Sequence, residues 1–181
     1  VGSAMSLEKI TAQIKAHGDK IPPVELWDPD YCGEMDLQIK SNGDWYYAGT
    51  IFKRATLVKL LASVLKKEAD DYFLVTPVEK IKISVEETPF VLTQWSWLDD
   101  TKKVMQVTTN LGDEFILDQD HPLTLTSEGH LYVTVRRNLL AKVHRNLYYQ
   151  WVELAQEYPQ GANTELRFYS AGQAFSLGNI D

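Results

Sequence analysis

The chain has 181 residues and a mass of 20.7 kDa, enough for one domain or for two small ones with a core each. Apolar residues make up 44% and charged residues 24%, which excludes a disordered chain, a collagen-like repeat and a disulfide-stapled mini-protein. The formal net charge of −7 argues against a general binder of nucleic acid or anionic membrane, because both need basic surface to displace counterions.

Val1 to Ala4, ahead of Met5, reads as a vector remnant. Ser6 is placed to cap a short helix with Leu7, Ile10 and Ile14 on one face, ended by His17-Gly18. Ile21-Pro22-Pro23-Val24 is expected to be extended, since the residue before a proline is pushed out of the helical region. Met35, Leu37 and Ile39 alternate with polar residues as in a half-buried strand. Asn42-Gly43 predicts a type I′ hairpin turn into Trp45-Tyr46-Tyr47. Thr56 is the expected cap of a second helix, its stripe of Leu57, Leu60, Leu61, Val64 and Leu65 running to about Glu68.

Strands are expected at Phe73 to Thr76 and around Ile81, Ile83 and Val85. Phe90 to Leu98 reads as a longer strand, turning at Asp99-Asp100-Thr101-Lys102 into Val104 to Thr108. Glu114 to Leu117, Leu123 to Thr126 and Leu131 to Val135 follow as short strands. Leu140, Val143, Leu147, Trp151 and Leu154 recur at helical spacing, predicting a helix of about twenty residues capped by Asn138. A hairpin around Ala171-Gly172 closes the chain. Strands and helices do not alternate one for one, so the predicted class is α+β with mainly antiparallel sheets and one long helix in each of two lobes.

Shifted by 86 residues, Ile39 to Tyr46 lies over Leu125 to Tyr132, with Ser, Gly and Tyr identical. Dropping three residues then sets Arg54 over Arg137 and Leu57 over Leu140. The boundaries predicted from this internal repeat are a remnant and short helix at 1–20, a first α+β lobe at 21–88 and a second at 89–181. The net charge splits into −3 through Phe90 and −4 beyond it.

A set of ordered motifs gives the chain a family resemblance. They are Trp27-x-Pro29, Cys32-Gly33-Glu34-Met35-Asp36, Gly43-x-Trp45-x-Tyr47-x-Gly49-Thr50-x-x-x-Arg54 and Leu74-Val75-Thr76-Pro77-Val78-Glu79-Lys80, then Pro89-Phe90, Thr109-Asn110, His121-Pro122-Leu123, Tyr132-Val133-x-Val135-Arg136 and Tyr148-Tyr149-x-x-Val152-Glu153-Leu154. From about Pro22 to Leu177 the chain resembles the bacterial family called domain of unknown function 1285. The resemblance implies a two-lobed α+β protein with repeated structural motifs, no established activity and a suggested role in signalling. It supplies no functional residues to carry over.

Most chemical motifs fail on inspection. Asp28 to Asp36 looks like a calcium loop, but Cys32 takes the fifth position, and Ile39 stands where a bidentate Glu belongs. Ser6-x-x-Lys9 and Ser63-x-x-Lys66 lack the companion motifs of penicillin-binding enzymes, and the dinucleotide, phosphate-loop, nucleophile-elbow and zincin signatures are absent. The lone Cys32 points to a reducing compartment and reads as a buried structural thiol. Trp45, Tyr47, Trp95 and Trp97 read as core or cross-strand aromatics.

Three features keep functional content. Arg136 and Arg137, with Lys142 and Arg145, form a basic run expected at a helix start, where backbone N–H groups favour an anion. The competing reading is a salt bridge to the acidic stretch Asp99 to Glu128. Arg54 is expected in the same setting before its own helix. Thr76-Pro77-Val78-Glu79-Lys80 is a strand end expected to expose hydroxyl, carboxylate and ammonium side by side. His121, in the acidic loop Asp118-Gln119-Asp120, is the remaining candidate.

The candidate ligand-binding residues are therefore Arg54, Thr76, Glu79, Lys80, His121, Arg136 and Arg137, with no catalytic or metal-ligating residue, no cofactor and no enzyme activity expected. The function predicted is a cytoplasmic binding or regulatory module, monomer or homodimer, for a small anionic ligand or a protein partner between two lobes, with neither nucleic acid nor membrane as partner. Two alternatives stay open. One is a small hydrolase or transferase using Asp120 and His121, helped by Glu79. The other is a non-enzymatic interaction protein that dimerises through a sheet edge.

Overall fold

The computed structural model of the chain describes residues 7–15 and 22–180. Ser6, His17-Gly18, Ile21 and the remnant before Met5 lie outside the described residues, as does the side chain of Cys32. The chain divides into two compact units, Val1–Pro89 and Phe90–Asp181.

The first unit contains α1 (Leu7–Lys15), β1 (Tyr31–Ile39), β2 (Trp45–Tyr47), β3 (Thr50–Ile51), α2 (Ala55–Ala62), β4 (Leu65–Glu68), β5 (Asp71–Val75) and β6 (Lys80–Val85). Its six strands form one sheet in the order β3-β2-β1-β6-β5-β4. Every neighbour is antiparallel except β1 and β6, which run parallel. Ile10 and Ile14, one helical turn apart, are buried on α1, and α2 buries Val58, Leu61 and Ala62. With Leu37, Ile39, Leu65, Leu74 and Ile81 from the strands they build the core, each large aliphatic side chain contributing about 1.5–3 kcal/mol.

Three local expectations need correction here. Val24 opens a 3₁₀ turn, Val24–Leu26, instead of continuing an extended run. Asn42-Gly43 does not form a type I′ turn, since only Gly43 has positive φ (95°). Gly43 N–H donates to Lys40 O at 2.9 Å and Lys40 N–H to Asp44 O at 2.8 Å, so the loop is a wider turn finished by a left-handed glycine. The two-residue turns with both centres at positive φ are Ala48-Gly49 and Ala171-Gly172. Finally, α2 begins after Arg54 rather than Thr56 and ends at Ala62, because Leu65–Glu68 pairs with β5 as a strand. Val64 and Leu65 are buried in either conformation, which is why the apolar stripe alone overran the helix.

The second unit contains β7 (Phe90–Trp97), β8 (Met105–Thr109), β9 (Glu114–Ile116), β10 (Leu123–Leu125), β11 (Leu131–Arg136), β12 (Leu139–Val143), α3 (Arg145–Leu154), β13 (Gln156–Gln160), β14 (Asn163–Ser170) and β15 (Gln173–Ile180). A six-stranded sheet runs β10-β11-β12-β7-β8-β9, with β7 and β12 parallel, and a separate three-stranded sheet runs β13-β14-β15. Counted from its own first strand, each six-stranded sheet has the order 3-2-1-6-5-4, with strands one and six parallel. The 86-residue offset is not the offset of this correspondence. It lays the β1–β2 hairpin on β10–β11, whereas strand order matches β1–β2 with β7–β8 and matches β10–β11 with β4–β5.

The twenty-residue helix is also corrected. Leu139–Val143 is a strand paired on both sides, by β11 and by β7, and burial alternates along it. Helix α3 spans ten residues and is capped by His144, whose side chain accepts from Asn146 N–H, not by Asn138. The first unit, in turn, has two short helices, α1 of nine residues and α2 of eight. Trp151 on α3 is fully buried against Phe168 at 5.2 Å between ring centroids, and Phe168 stacks on Phe175 at 5.4 Å. Buried Ser170 ties the two sheets of this unit together: its Oγ accepts from Met105 N–H at 2.8 Å and donates to Leu117 O at 2.7 Å.

Candidate functional site

In the first unit, Thr76, Glu79 and Lys80 share the β5–β6 turn, but not as an exposed triad. Thr76 and Glu79 are buried. Thr76 Oγ1 accepts from Glu79 N–H at 3.0 Å, and Thr76 N–H donates to Glu79 O at 2.8 Å, so the hydroxyl holds the turn that Pro77 opens. Lys80 is drawn instead to β4 and β5. Its Nζ is hydrogen-bonded to Glu68 Oε1 and sits 4.6 Å from the centre of the Phe73 ring. Lys66 approaches the other oxygen of the same carboxylate at 3.3 Å and donates to Trp27 O at 3.0 Å.

Two ammonium groups thus share one carboxylate, which holds the Glu68 carboxyl below the usual range, Lys80 being the main cause and burial opposing it. The three side chains are 19%, 14% and 34% exposed for Lys66, Lys80 and Glu68. Around them stand apolar side chains open to solvent. Tyr31, in register with Lys80, is 55% exposed, Val78 in the turn 65%, and Leu26 beside Trp27 77%. Arg54, the fourth candidate of this unit, is exposed at the start of α2, and its side chain does not cap the helix.

In the second unit, Arg136 and Arg137 stand at the β11–β12 hairpin and not at a helix start, so the helix-dipole setting expected for them does not exist. Arg137 takes a left-handed φ of 51° in the turn. The Arg136 guanidinium lies 5.0 Å over the Phe90 ring and 3.7 Å from Asp113 Oδ2 in the acidic stretch, the salt-bridge reading of that arginine. Burial lowers its pKa, and Asp113 works against that. His121 stacks on Phe115 at 4.5 Å, with its Nδ1 3.0 Å from Asp118 Oδ1. The carboxylate facing the ring is Asp118, not Asp120, because the chain turns between Asp118 and His121, whose N–H donates to Asp118 O at 3.2 Å.

The fold that carries these residues has counterparts in solved proteins. Residues 22–88 match the family model for the N-terminal domain of DUF1285, a domain of unknown function, and residues 89–177 match the model for its C-terminal domain. The chain belongs to the DUF1285 family. The crystal structure of a DUF1285 family protein from Silicibacter pomeroyi DSS-3 is similar at a TM-score of 0.81 and 31% identity, over 97% of this chain and 96% of that one. Another, from Shewanella baltica OS155, gives a TM-score of 0.55 at 31% identity, over 66% of this chain and 91% of that one. No curated protein matches the chain.

For this DUF1285 protein, no group of three or more His, Cys, Asp or Glu is gathered among the described residues where it could hold a metal ion. Nor is any helix among them long and apolar enough to cross a membrane. The sequence reading does not pair Lys80 with Lys66 and Glu68, and it sets Asp120 rather than Asp118 against His121. Lys66 and Glu68 were absorbed into the end of a helix, although their two-residue spacing is what puts them on one face of a strand. Asp118 stands three residues before His121, a spacing a tight turn closes.

Proposed function

We propose that this protein is a ligand-binding regulatory module, and that its site is the Lys66–Glu68–Lys80 cluster with the exposed Leu26, Tyr31 and Val78 around it. The ligand class is a small organic anion with an apolar body. The observation that carries this reading is the two-to-one ratio of ammonium to carboxylate. An ammonium has three N–H donors; Lys66 uses two on Trp27 O and Glu68, and Lys80 uses one on Glu68. Donors remain on both, partly desolvated, beside the solvent-exposed Leu26, Val78 and Tyr31, the last with its ring edge-to-face on Phe73. Anions bound in such a setting gain charge-assisted hydrogen bonds that water screens weakly. Such a module suits a regulatory role in cytoplasmic signal transduction, where ligand occupancy is read by a protein partner.

The test is a thermal-shift titration with a panel of aliphatic and aromatic carboxylates and phosphate esters. Ligand should raise the Tm of the wild type by mass action. It should raise it further in Glu68→Gln, where the competing carboxylate is gone, and not at all in the Lys66→Met/Lys80→Met double variant. An equal response in the double variant overturns the site. A sample that answers to no anion but dimerises by light scattering favours the interaction-protein reading.

A further inference from the structure

The chain has four histidines, three of them among the described residues, and two of these are held at Nδ1 by partners of opposite character. His144 Nδ1 lies 3.1 Å from the backbone N–H of Asn146, which can only donate. The neutral ring must therefore keep its proton on Nε2. His121 Nδ1 lies 3.0 Å from the carboxylate of Asp118, which, ionised, can only accept. This ring must keep its proton on Nδ1 and present the lone pair at Nε2. His130 is indifferent, since the hydroxyl of Tyr132, 3.5 Å from its Nδ1, can take either role.

The His121 ring is also held mechanically. Phe115 covers one face at an interplanar angle of 30°. Asp118 Oδ1 is itself pinned by Asp120 N–H at 2.9 Å, and Pro122 O, one residue beyond the ring, accepts from Thr134 N–H at 3.1 Å. Side-chain exposures of 23% for His121 and 32% for Asp118 leave the pair at the solvent boundary. No described residue hydrogen-bonds to His121 Nε2. An imidazole oriented by a carboxylate at one nitrogen and open at the other is the arrangement that general-base and nucleophilic histidines require.

We propose that His121 Nε2, oriented by Asp118, is a nucleophile that accepts acyl groups from neutral carbonyl substrates. The lone pair on Nε2 attacks the carbonyl carbon of an aryl ester, and the bond to the leaving oxygen breaks, releasing a phenolate, which needs no acid to leave. The Nδ1 proton of the acyl-imidazolium stays hydrogen-bonded to Asp118. Water then adds to the acyl carbon, the C–N bond breaks, and the carboxylic acid and a proton leave. The Asp118 carboxylate beside the ring disfavours anionic substrates, which sets the neutral class. The pair belongs to the other unit from the lysine cluster, so the two readings fail separately.

The experiment treats the full chain with p-nitrophenyl acetate, following p-nitrophenolate release and mapping acetylated peptides. In the wild type the acetyl group should appear on His121 and not on His144. His121→Gln should lose the release that exceeds the background, Asp118→Asn should slow it at unchanged thermal unfolding, and His144→Gln should leave it unaltered. Acetylation of His144 as fast as His121 in the wild type, which needs no variant, overturns the proposal. So does an undiminished rate in His121→Gln.

Discussion

The two six-stranded sheets share a strand order and differ in what joins their third and fourth strands. In the first, α2 makes the crossover and supplies Val58, Leu61 and Ala62 to the core. In the second, the chain passes from Ile116 to Leu123 without a helix, fixed by the Asp118–His121 turn and by Leu117 bonded to Met105 and Ser170. The difference teaches that strand pairing sets the order while cover for the apolar face is interchangeable. Where α3 packs on β7 and on β14 of the added sheet, no crossover helix is needed, and the short loop is released to carry a histidine and its carboxylate.

The strongest way to break the second arrangement is to remove its substitute cover. Trp151→Ala empties the space between α3 and Phe168, and should cost about 3–5 kcal/mol. Hydrogen exchange should accelerate across β7 to β12 and leave β1 to β6 protected, which separates the two units by experiment. Equal loss of protection in both sheets would show that the cover is not local. A smaller effect is expected at the tie between the sheets. Ser170→Ala strands a buried Met105 N–H and deprives Leu117 O of its donor, at about 1–3 kcal/mol, seen as a lower denaturation midpoint at unchanged m.

Much of this was legible in the residues. Strict alternation at Leu37 and Ile39, at Ile81 and Ile83 and at Leu131, Val133 and Val135 specified strands, and each of these side chains is buried. Leu139 to Val143 was misread because it satisfies two periods at once. Leu140, Val143 and Leu147 keep helical spacing, while Leu139, Ala141 and Val143 keep the spacing of two, and pairing with β11 and β7 decided between them. Strand β13 carries Gln156, Glu157, Pro159 and Gln160 around a single Tyr158, and as an edge strand it needs no apolar alternation. At the candidate sites, the sequence named Lys80 without Glu68 and set Asp120 rather than Asp118 against His121, because these partners are fixed by pairing register and turn closure rather than by composition.

The smallest expected effect separates the two cation–aromatic corners. Both place a cation on a ring and near a carboxylate, and the cations are similarly half-buried, yet Glu68 is shared by two lysines whereas Asp113 faces Arg136 at 3.7 Å. The lysines lower the folded-state pKa of Glu68 relative to the unfolded chain, so its contribution is fully present above the ordinary glutamate pKa and is lost as pH falls through the lowered one. Glu68→Gln should therefore cost about 0.2–1 kcal/mol at neutral pH, the range of a solvent-screened pair, and nothing at pH 2. Urea denaturation of both proteins across that range should give curves that converge in acid. Parallel curves would mean that Glu68 acts through packing alone.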